Sequence, residues 1–216
     1  MGVAGVTSEP ARRGRPGYDQ QAILEVAVTA FNEFGYDATS MGVLADRLSL
    51  SKAAIYHHFA SKEELLERAL DEALGSLEAV FVVSETRATS AIDRLNLVLR
   101  GAVHVLCAKL PYVKLLLRVR GNTVVETNAL ARRRELDRVV AALVLDACDE
   151  GALRRDIDPR IVTRLLFGMV SSIAEWYRPA GPADAEKLAD DVLAFAIDGL
   201  RMPAADRLTE VASAND

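Results

Sequence analysis

Cysteine, histidine and long hydrophobic runs are scarce in this sequence of 216 residues. Its two cysteines, Cys107 and Cys148, have no close metal-binding or redox spacing, so buried free thiols are predicted. Charges interrupt the apolar runs well before the roughly 18–20 residues that a membrane span needs. The first residues, MGVAGVTSEPARRGRPG, lack the apolar core of a secretory signal. These absences predict a cytoplasmic protein with no membrane partner.

Catalytic and phosphate-binding motifs are also missing from the sequence. It has no Gly-rich phosphate loop, no paired metal-ligand spacing and no nucleophile motif. We therefore expect no enzyme activity, no cofactor and no metal site.

Basic residues are concentrated locally in a chain whose net charge is −5. The segment RLSLSKAAIYHHFASK, residues 47–62, contains Arg47, Lys52 and Lys62 and no acidic residue. Charge placement is more informative than the total, because an oppositely charged partner meets only one face of a protein. The sequence thus leaves room for a nucleic-acid partner.

Helical periodicity extends over almost all of residues 19–200, and no convincing alternating strand is present. Capping and breaking residues predict helices at about 19–34, 40–48, 51–59, 61–83, 90–109, 112–120, 123–150, 158–177 and 185–200. Ser61, followed by Glu64, predicts a capping box at the start of the fourth of these helices. The segment SETRATS, residues 84–90, is the best candidate for a linker. An all-α fold follows.

The segment SLSKAAIYHHFASKEELL, residues 49–66, has the pattern of a DNA-reading helix. On a helical wheel Ile55 and Phe59 fall together toward a core, whereas His57 lies opposite them. Tyr56 and His58 lie on the two flanks. Two short helices joined by a tight break form a helix-turn-helix, and small or polar outward groups suit the major groove of DNA. The alternative is a solvated surface; a metal site is disfavoured, because adjacent histidines on a helix point about 100° apart.

Residues 18–66 resemble the N-terminal domain of the TetR family of one-component transcriptional regulators. The resemblance is carried by FNEFG in the first helix, by TSM at the opening of the second, and by SKAAIYHHFASKEELL. It implies an all-helical homodimer with an N-terminal helix-turn-helix domain and a C-terminal bundle for ligand binding and dimerisation. It also implies that Lys52, Ala53 and His57 face bases, and that Ser51, Tyr56, His58 and Lys62 contact phosphates. Ser40 and Arg47 complete the predicted DNA-binding set.

Two positions depart from the family pattern. Ser49 stands where the family usually has glycine, which puts the conformation of the turn in doubt. Ala54 stands where many relatives carry serine or threonine, so one phosphate hydroxyl is missing, and Arg47 is expected to compensate.

The predicted division of the chain has four parts. Residues 1–17 form a basic arm, 18–65 the helix-turn-helix domain, 66–202 the ligand-binding and dimerisation domain, and 203–216 a loose tail. Arg12, Arg13 and Arg15 in the arm are candidates for minor-groove contacts; a solubilising leader explains them equally well.

The C-terminal half carries the prediction of a small-molecule effector. Basic residues in YVKLLLRVRG and at 132–134 lie beside apolar helices. A cavity that is apolar inside and basic at its mouth suits an acyl or aryl chain joined to coenzyme A. The ending SSIAEWYRP is similar to regulators of fatty-acid, steroid or aromatic-acid degradation that sense such thioesters. The predicted ligand-binding residues are Arg118, Arg120, Phe167, Val170 and Trp176. The alternatives are solvated arginines and a packing or dimer role for Trp176.

The resemblance also implies that the last two helices pair with their copies in a dimer. Two recognition helices at a fixed spacing read an inverted repeat in double-stranded DNA. The resulting hypothesis is a repressor that its effector releases from the operator. The rival hypotheses are a helical small-molecule carrier or enzyme, and a protein-interaction module that does not bind DNA.

Overall fold

A computed structural model gives the structure of the protein and describes residues 19–201. Within this range the chain forms nine α-helices and no strand, which confirms the predicted all-α class. The helices are α1 (Gln20–Phe34), α2 (Met41–Leu48), α3 (Lys52–Tyr56), α4 (Lys62–Arg87), α5 (Ala91–Ala108), α6 (Leu110–Arg118), α7 (Val124–Asp149), α8 (Pro159–Trp176) and α9 (Ala185–Leu200). The predicted basic arm, residues 1–17, and the predicted tail, residues 203–216, lie outside the described residues. No helix among residues 19–201 combines the length and apolar character of a membrane span.

The N-terminal helices begin at the capping residues that the sequence predicts. The side chains of Asp19, Ser40, Ser51 and Ser61 each accept a hydrogen bond from a backbone amide in the first turn of the following helix. At α4 the carboxylate of Glu64 accepts from the amide of Ala60 at 2.6 Å, one residue before the cap. The start of each helix is therefore fixed by its own local sequence.

The third helix is shorter than predicted, because it ends at Tyr56 and not near residue 59. The amide of His58 donates to the carbonyl of Ile55 at 2.9 Å, which tightens the last turn to a three-residue spacing. That turn directs Phe59, which is 2% exposed, into the core. The change of direction is needed because Ser61 already begins α4.

The predicted linker at 84–90 is wrong in most of its length. Residues 84–87 form the last turn of α4, and only 88–90 separate it from α5. Ser84 is 1% exposed, and its hydroxyl donates to the carbonyl of Phe81 at 2.7 Å. Burial and this local bond keep a polar segment helical that by composition resembles a loop.

The long α4 helix packs on both parts of the structure. It contacts α1 near its start and α5, α6 and α7 further along, while α5 lies at the centre of the bundle against α7, α8 and α9. The short α6 helix lies against α1 as well as α4, α5 and α8. Three polar contacts fasten α1 to α6: Gln21 donates to the Tyr112 hydroxyl at 3.2 Å, Asn32 donates to the carbonyl of Pro111 at 2.8 Å, and Arg118 donates to the carbonyl of Asn32. Motion of α4 or α6 therefore moves the first three helices.

The turn between α2 and α3 contains a strained serine. Ser49 has φ 52° and ψ 39°, and it is the one residue other than glycine with a positive φ among residues 19–201. A side chain in this left-handed conformation costs about 1–2 kcal/mol relative to glycine. Ser49 thus adopts the left-handed conformation that glycine reaches without strain.

Ser49→Gly is expected to raise the free energy of unfolding by about 0.5–1 kcal/mol, because it removes this strain. Part of the gain is lost, because glycine gives up more backbone entropy on folding than serine does. Thermal denaturation should show a Tm increase of about 1–3 °C. Ser76→Gly, within α4, is the matched control: there glycine only weakens a regular helix, so the Tm should fall. Equal shifts of the same sign in both variants would contradict the assigned strain.

Candidate nucleic-acid interface and effector groove

One face of α3 is exposed and the other is buried. Ile55 and Phe59 are 0% and 2% exposed, whereas Tyr56 is 50% exposed and Lys52, Ala53 and His57 are also at the surface. This orientation of α3 is as the helical wheel predicts. The outward face, which we call the reading face, consists of Lys52, Ala53, Tyr56 and His57.

Ser40 and Ser51 lie at the helix starts beside the reading face. The Ser40 hydroxyl accepts from the amide of Val43 at 3.3 Å, and the Ser51 hydroxyl accepts from the amide of Ala54 at 3.1 Å. A hydroxyl that accepts such a bond still has its own hydrogen to donate. Both side chains are exposed, so each has a donor for a phosphate oxygen.

Lys52 extends across the start of α2. A Cβ atom added at Gly42 would lie 3.1 Å from Lys52 Cε and 3.4 Å from Ser40 Oγ. The lysine stem therefore passes over a residue that has no side chain, and its ammonium nitrogen lies 3.3 Å from the same Cβ position. This juxtaposition of α2 and α3 is invisible in the sequence.

His58 is held more firmly than His57. Its ring is half-buried and meets the His57 ring edge-to-face, with centroids 5.4 Å apart. Its carbonyl accepts a hydrogen bond from the side-chain amide of Gln20 at 3.1 Å, which ties the end of α3 to the start of α1. The two histidines consequently present different amounts of surface to a partner.

Two of the predicted DNA contacts, Arg47 and Lys62, already have partners inside the chain. Arg47 pairs with Glu33 at 2.6 Å and lies over the Phe34 ring, 4.6 Å from its centroid. Lys62 donates to the carbonyl of Tyr36 at 3.0 Å and lies 4.1 Å from the centroid of its ring. The structure thus places Arg47 against the end of α1 and Lys62 against the loop that follows it, and a phosphate would have to share both cations with these partners.

Tyr36 is a half-buried residue of this interface that the sequence interpretation did not identify. Burial, followed by the negative charge of Glu63, raises the pKa of the Tyr36 phenol well above its ordinary value. The phenol therefore stays neutral, and its ring meets the Phe31 ring edge-to-face, with centroids 5.3 Å apart, and lies under Lys62. Tyr36 thus contacts α1 through Phe31 and α4 through Lys62.

The predicted effector residues do not form one site. Arg118 and Arg120 line a cavity of about 190 Å³ where α1, α4 and α6 meet. Val170 is 6% exposed in the core, and Trp176 is 52% exposed near the end of α8. Only Phe167 lies in the larger groove described next, because Arg118 extends toward α1 and donates to the carbonyl of Asn32.

A groove of about 630 Å³ lies between α7 and α8. Five arginines line it: Arg133, Arg134, Arg138, Arg160 and Arg164. Its apolar wall includes Leu117 and Phe167, and Asp137 is its one acidic residue. Burial raises the pKa of the Asp137 carboxyl despite the opposing effect of two guanidinium groups in the groove. We call this site the arginine groove.

Arg132 points to the opposite side of α7 from the arginine groove. Its guanidinium binds both carboxylate oxygens of Glu78, at 2.8 and 2.9 Å, and also pairs with Asp71. Both acids are on α4, so this cluster clamps α7 to the helix that carries the N-terminal unit. Adjacent residues of α7 thus serve the groove and the clamp.

Large apolar side chains are exposed on α8 and α9. Their exposed fractions are 45% for Ile161, 65% for Leu165, 52% for Trp176 and 79% for Phe195. Ile161, Leu165 and Trp176 recur at helical spacing, so they lie on one side of α8. The presence of such a stripe, here called the apolar stripe, is typical of a surface that another protein covers.

Comparisons with known proteins cover nearly the whole chain. The family model for bacterial regulatory proteins of the tetR family matches residues 23–69, and a tetracyclin repressor-like C-terminal domain model matches residues 88–200. The HTH-type transcriptional repressor KstR2 of Mycolicibacterium smegmatis is 25% identical over 205 residues, covering 92% of this chain and 98% of that protein.

Two solved structures have the same architecture. SCO3833 of Streptomyces coelicolor, a member of the TetR transcriptional regulator family, is 49% identical, with a TM-score of 0.78 and coverage of 83% of this chain and 91% of that one. AibR, solved with isovaleryl coenzyme A and operator DNA, is 24% identical, with a TM-score of 0.70 and coverage of 82% and 97%. At that identity the comparison shows a shared fold, and the bound ligand is a property of AibR.

Proposed function

The chain belongs to the TetR family of bacterial regulatory proteins, which are DNA-binding transcriptional regulators, and we propose that it is a homodimeric repressor that a small effector releases from an inverted-repeat operator. The observation that carries this proposal is the reading face: an acid-free, outward side of α3 over a fully buried Ile55 and Phe59. A side of that shape and polarity suits the major groove.

In the proposed complex some residues at the reading face contact DNA bases and others contact the DNA backbone. Lys52, Ala53 and His57 lie on the exposed side and contact base edges, where a lysine suits guanine and a methyl group suits thymine. Ser51, Tyr56 and His58 contact phosphates, with Ser40 beside Lys52. Arg47 and Lys62 reinforce these contacts only if they leave or share Glu33 and Tyr36.

Pairing of two subunits through α8 and α9 supplies the second reading face. The apolar stripe offers the buried surface for a four-helix dimer interface, and twofold symmetry then spaces the α3 helices about one DNA turn, roughly 34–36 Å, or a multiple of it apart. In this scheme residues 18–65 read DNA, and 66–202 bind ligand and dimerise, with α4 continuous across the boundary.

Effector control requires a ligand that favours one spacing of the reading faces over another. We take the effector to be an acyl-coenzyme A or a related lipid or aromatic-acid thioester. This choice is supported by the arginine-rich, partly apolar groove and by the isovaleryl coenzyme A bound to AibR. Ligand-induced motion reaches the reading face through α4, which Arg132 clamps, and through α6, which Arg118 fastens to α1.

The test of DNA binding is a fluorescence-anisotropy titration of labelled DNA from upstream of the protein's own gene, with scrambled DNA of the same composition as the control. We expect selective binding that weakens steeply with salt; six to ten phosphate contacts would lower the affinity by about 10³–10⁵ between 50 and 200 mM salt. Equal affinity for both DNAs, or no binding at 50 mM salt, would favour the interaction-module alternative.

A further inference from the structure

We infer that the arginine groove is the effector site and that it binds the nucleotide phosphates of a coenzyme A thioester, with the acyl group along its apolar wall. This inference rests on the proposed function of the protein as an effector-controlled repressor. It assigns a position and a ligand chemistry to that control.

The first support is the excess of positive charge in the groove. Five arginines face one aspartate there, a net charge of +4. Arg138 pairs with Glu135, and the charges of Arg133 and Arg164 act on Asp137, whereas Arg134 and Arg160 form no ion pair with any residue between 19 and 201. Grouped like charges repel each other, so a groove that holds five arginines around one aspartate gains stability from a polyanion.

The second support is the match between these side chains and phosphate. A guanidinium group presents a planar fork of donors to two phosphate oxygens at once. Coenzyme A carries a phosphomonoester and a pyrophosphate, about four negative charges in total, which balance the groove. The volume of the arginine groove, about 630 Å³, also falls within the size of sites that enclose ligands of this kind.

The third support is the apolar wall next to the arginines. Leu117 and Phe167 line the same groove, and Gly168 leaves it open, because a Cβ atom added there would have no protein atom within 4 Å. A nucleotide alone has no apolar chain to place on this wall, whereas an acyl or aryl chain buries apolar area on it. The combination favours a thioester over a free nucleotide.

The position of the groove suits a regulatory site. Leu117 in its wall precedes Arg118, which holds α1, and Arg133 follows Arg132, which clamps α4. A ligand that draws α7 and α8 together therefore acts on both connections to the N-terminal helices. Ligand binding in the groove and release from the operator are therefore coupled.

The test is isothermal titration calorimetry of the full chain with octanoyl-CoA, benzoyl-CoA, free coenzyme A and ADP. We expect at least one thioester to bind more tightly than coenzyme A, and coenzyme A more tightly than ADP. Arg134→Gln and Arg164→Gln should each raise the Kd of that thioester at least tenfold. Arg68→Gln, an exposed arginine on α4 outside the groove, makes the same charge change and should leave the Kd within twofold.

Gly168→Leu tests the same site without changing the charge. The added side chain fills the groove and meets no protein atom near its Cβ, so the variant should fold with an unchanged or higher Tm. It should nevertheless abolish thioester binding. This variant separates a blocked site from a damaged fold.

Three results would overturn the inference. Binding that is unaffected by Gly168→Leu and by both groove arginine variants would place the site elsewhere. An equal rise in the thioester Kd for Arg68→Gln would mean that binding is unspecific charge attraction. ADP binding as tightly as the thioesters would mean that the ligand is a nucleotide and not a thioester. If no thioester binds to a protein that still selects its operator, the groove assignment fails and the DNA-binding proposal stands; loss of operator selection would contradict that proposal instead.

Discussion

Replacing Phe195 with aspartate is expected to convert the dimer to a monomer and to lower its affinity for an inverted-repeat operator at least about 100-fold. Phe195 is 79% exposed on α9, so the single chain folds without its help. In the proposed interface the change removes a buried aromatic ring and buries an unpaired carboxylate on each subunit, which costs several kcal/mol. A monomer then binds one half-site and loses the benefit of the linked second contact.

Sedimentation equilibrium and operator anisotropy would measure the two consequences, and circular dichroism would confirm that the helices persist. Val124→Asp is the matched control, because Val124 is 77% exposed at the start of α7, away from α8 and α9. That variant should remain dimeric with unchanged operator affinity. A dimeric Phe195→Asp protein with full operator affinity would show that the subunits pair through another surface.

Lys52→Ala and His57→Ala are expected to give the second large effect, a loss of sequence selectivity. A good contact between a side chain and a base is worth about 1–3 kcal/mol, and a dimer loses it at both half-sites. Each variant should therefore bind the operator about 30-fold or more weakly. Its affinity for scrambled DNA should change only several-fold, because that binding depends on phosphate contacts.

The measurement is the ratio of the Kd for scrambled DNA to the Kd for the operator at one salt concentration. Lys187→Ala removes the same charge from α9, where Lys187 pairs with Asp191 at 2.9 Å, and should keep the wild-type ratio. Tyr56→Phe gives a further contrast: loss of a phosphate contact should weaken both DNAs alike and preserve the ratio. If Lys52→Ala and His57→Ala also weakened both DNAs alike, these residues would contact the backbone and not the bases.

Features that depend on neighbouring residues could be predicted from the sequence. Asp19, Ser51 and Ser61 cap helices because a short polar side chain satisfies amides only three residues away. The inward position of Ile55 and Phe59 follows from helical periodicity for the same reason. Such local predictions were wrong where packing against distant residues decides the structure, as at the buried Ser84.

Features that depend on packing between distant helices could not be predicted. Arg133 and Arg164 are visible as separate charges in the sequence, but only the contact of α7 with α8 brings them into one groove. The partners of Arg47 and Lys62, on or just after α1, are likewise set by how α1 packs against α2 and α4. The sequence therefore predicted which side of α3 is exposed, whereas the five residues that it predicted for the effector lie at four separate places.

The central claim is that two copies of the reading face, joined by a symmetric dimer, recognise a repeated DNA sequence. In vitro selection of binding sites from a random DNA library tests it most directly. The account predicts enrichment of an inverted repeat whose half-site centres are about 10–10.5 base pairs, or a multiple of that, apart, and it predicts loss of the enrichment in the combined Lys52→Ala and His57→Ala variant. A library that stays random, or one that yields a single unrepeated motif bound by one subunit, would contradict it.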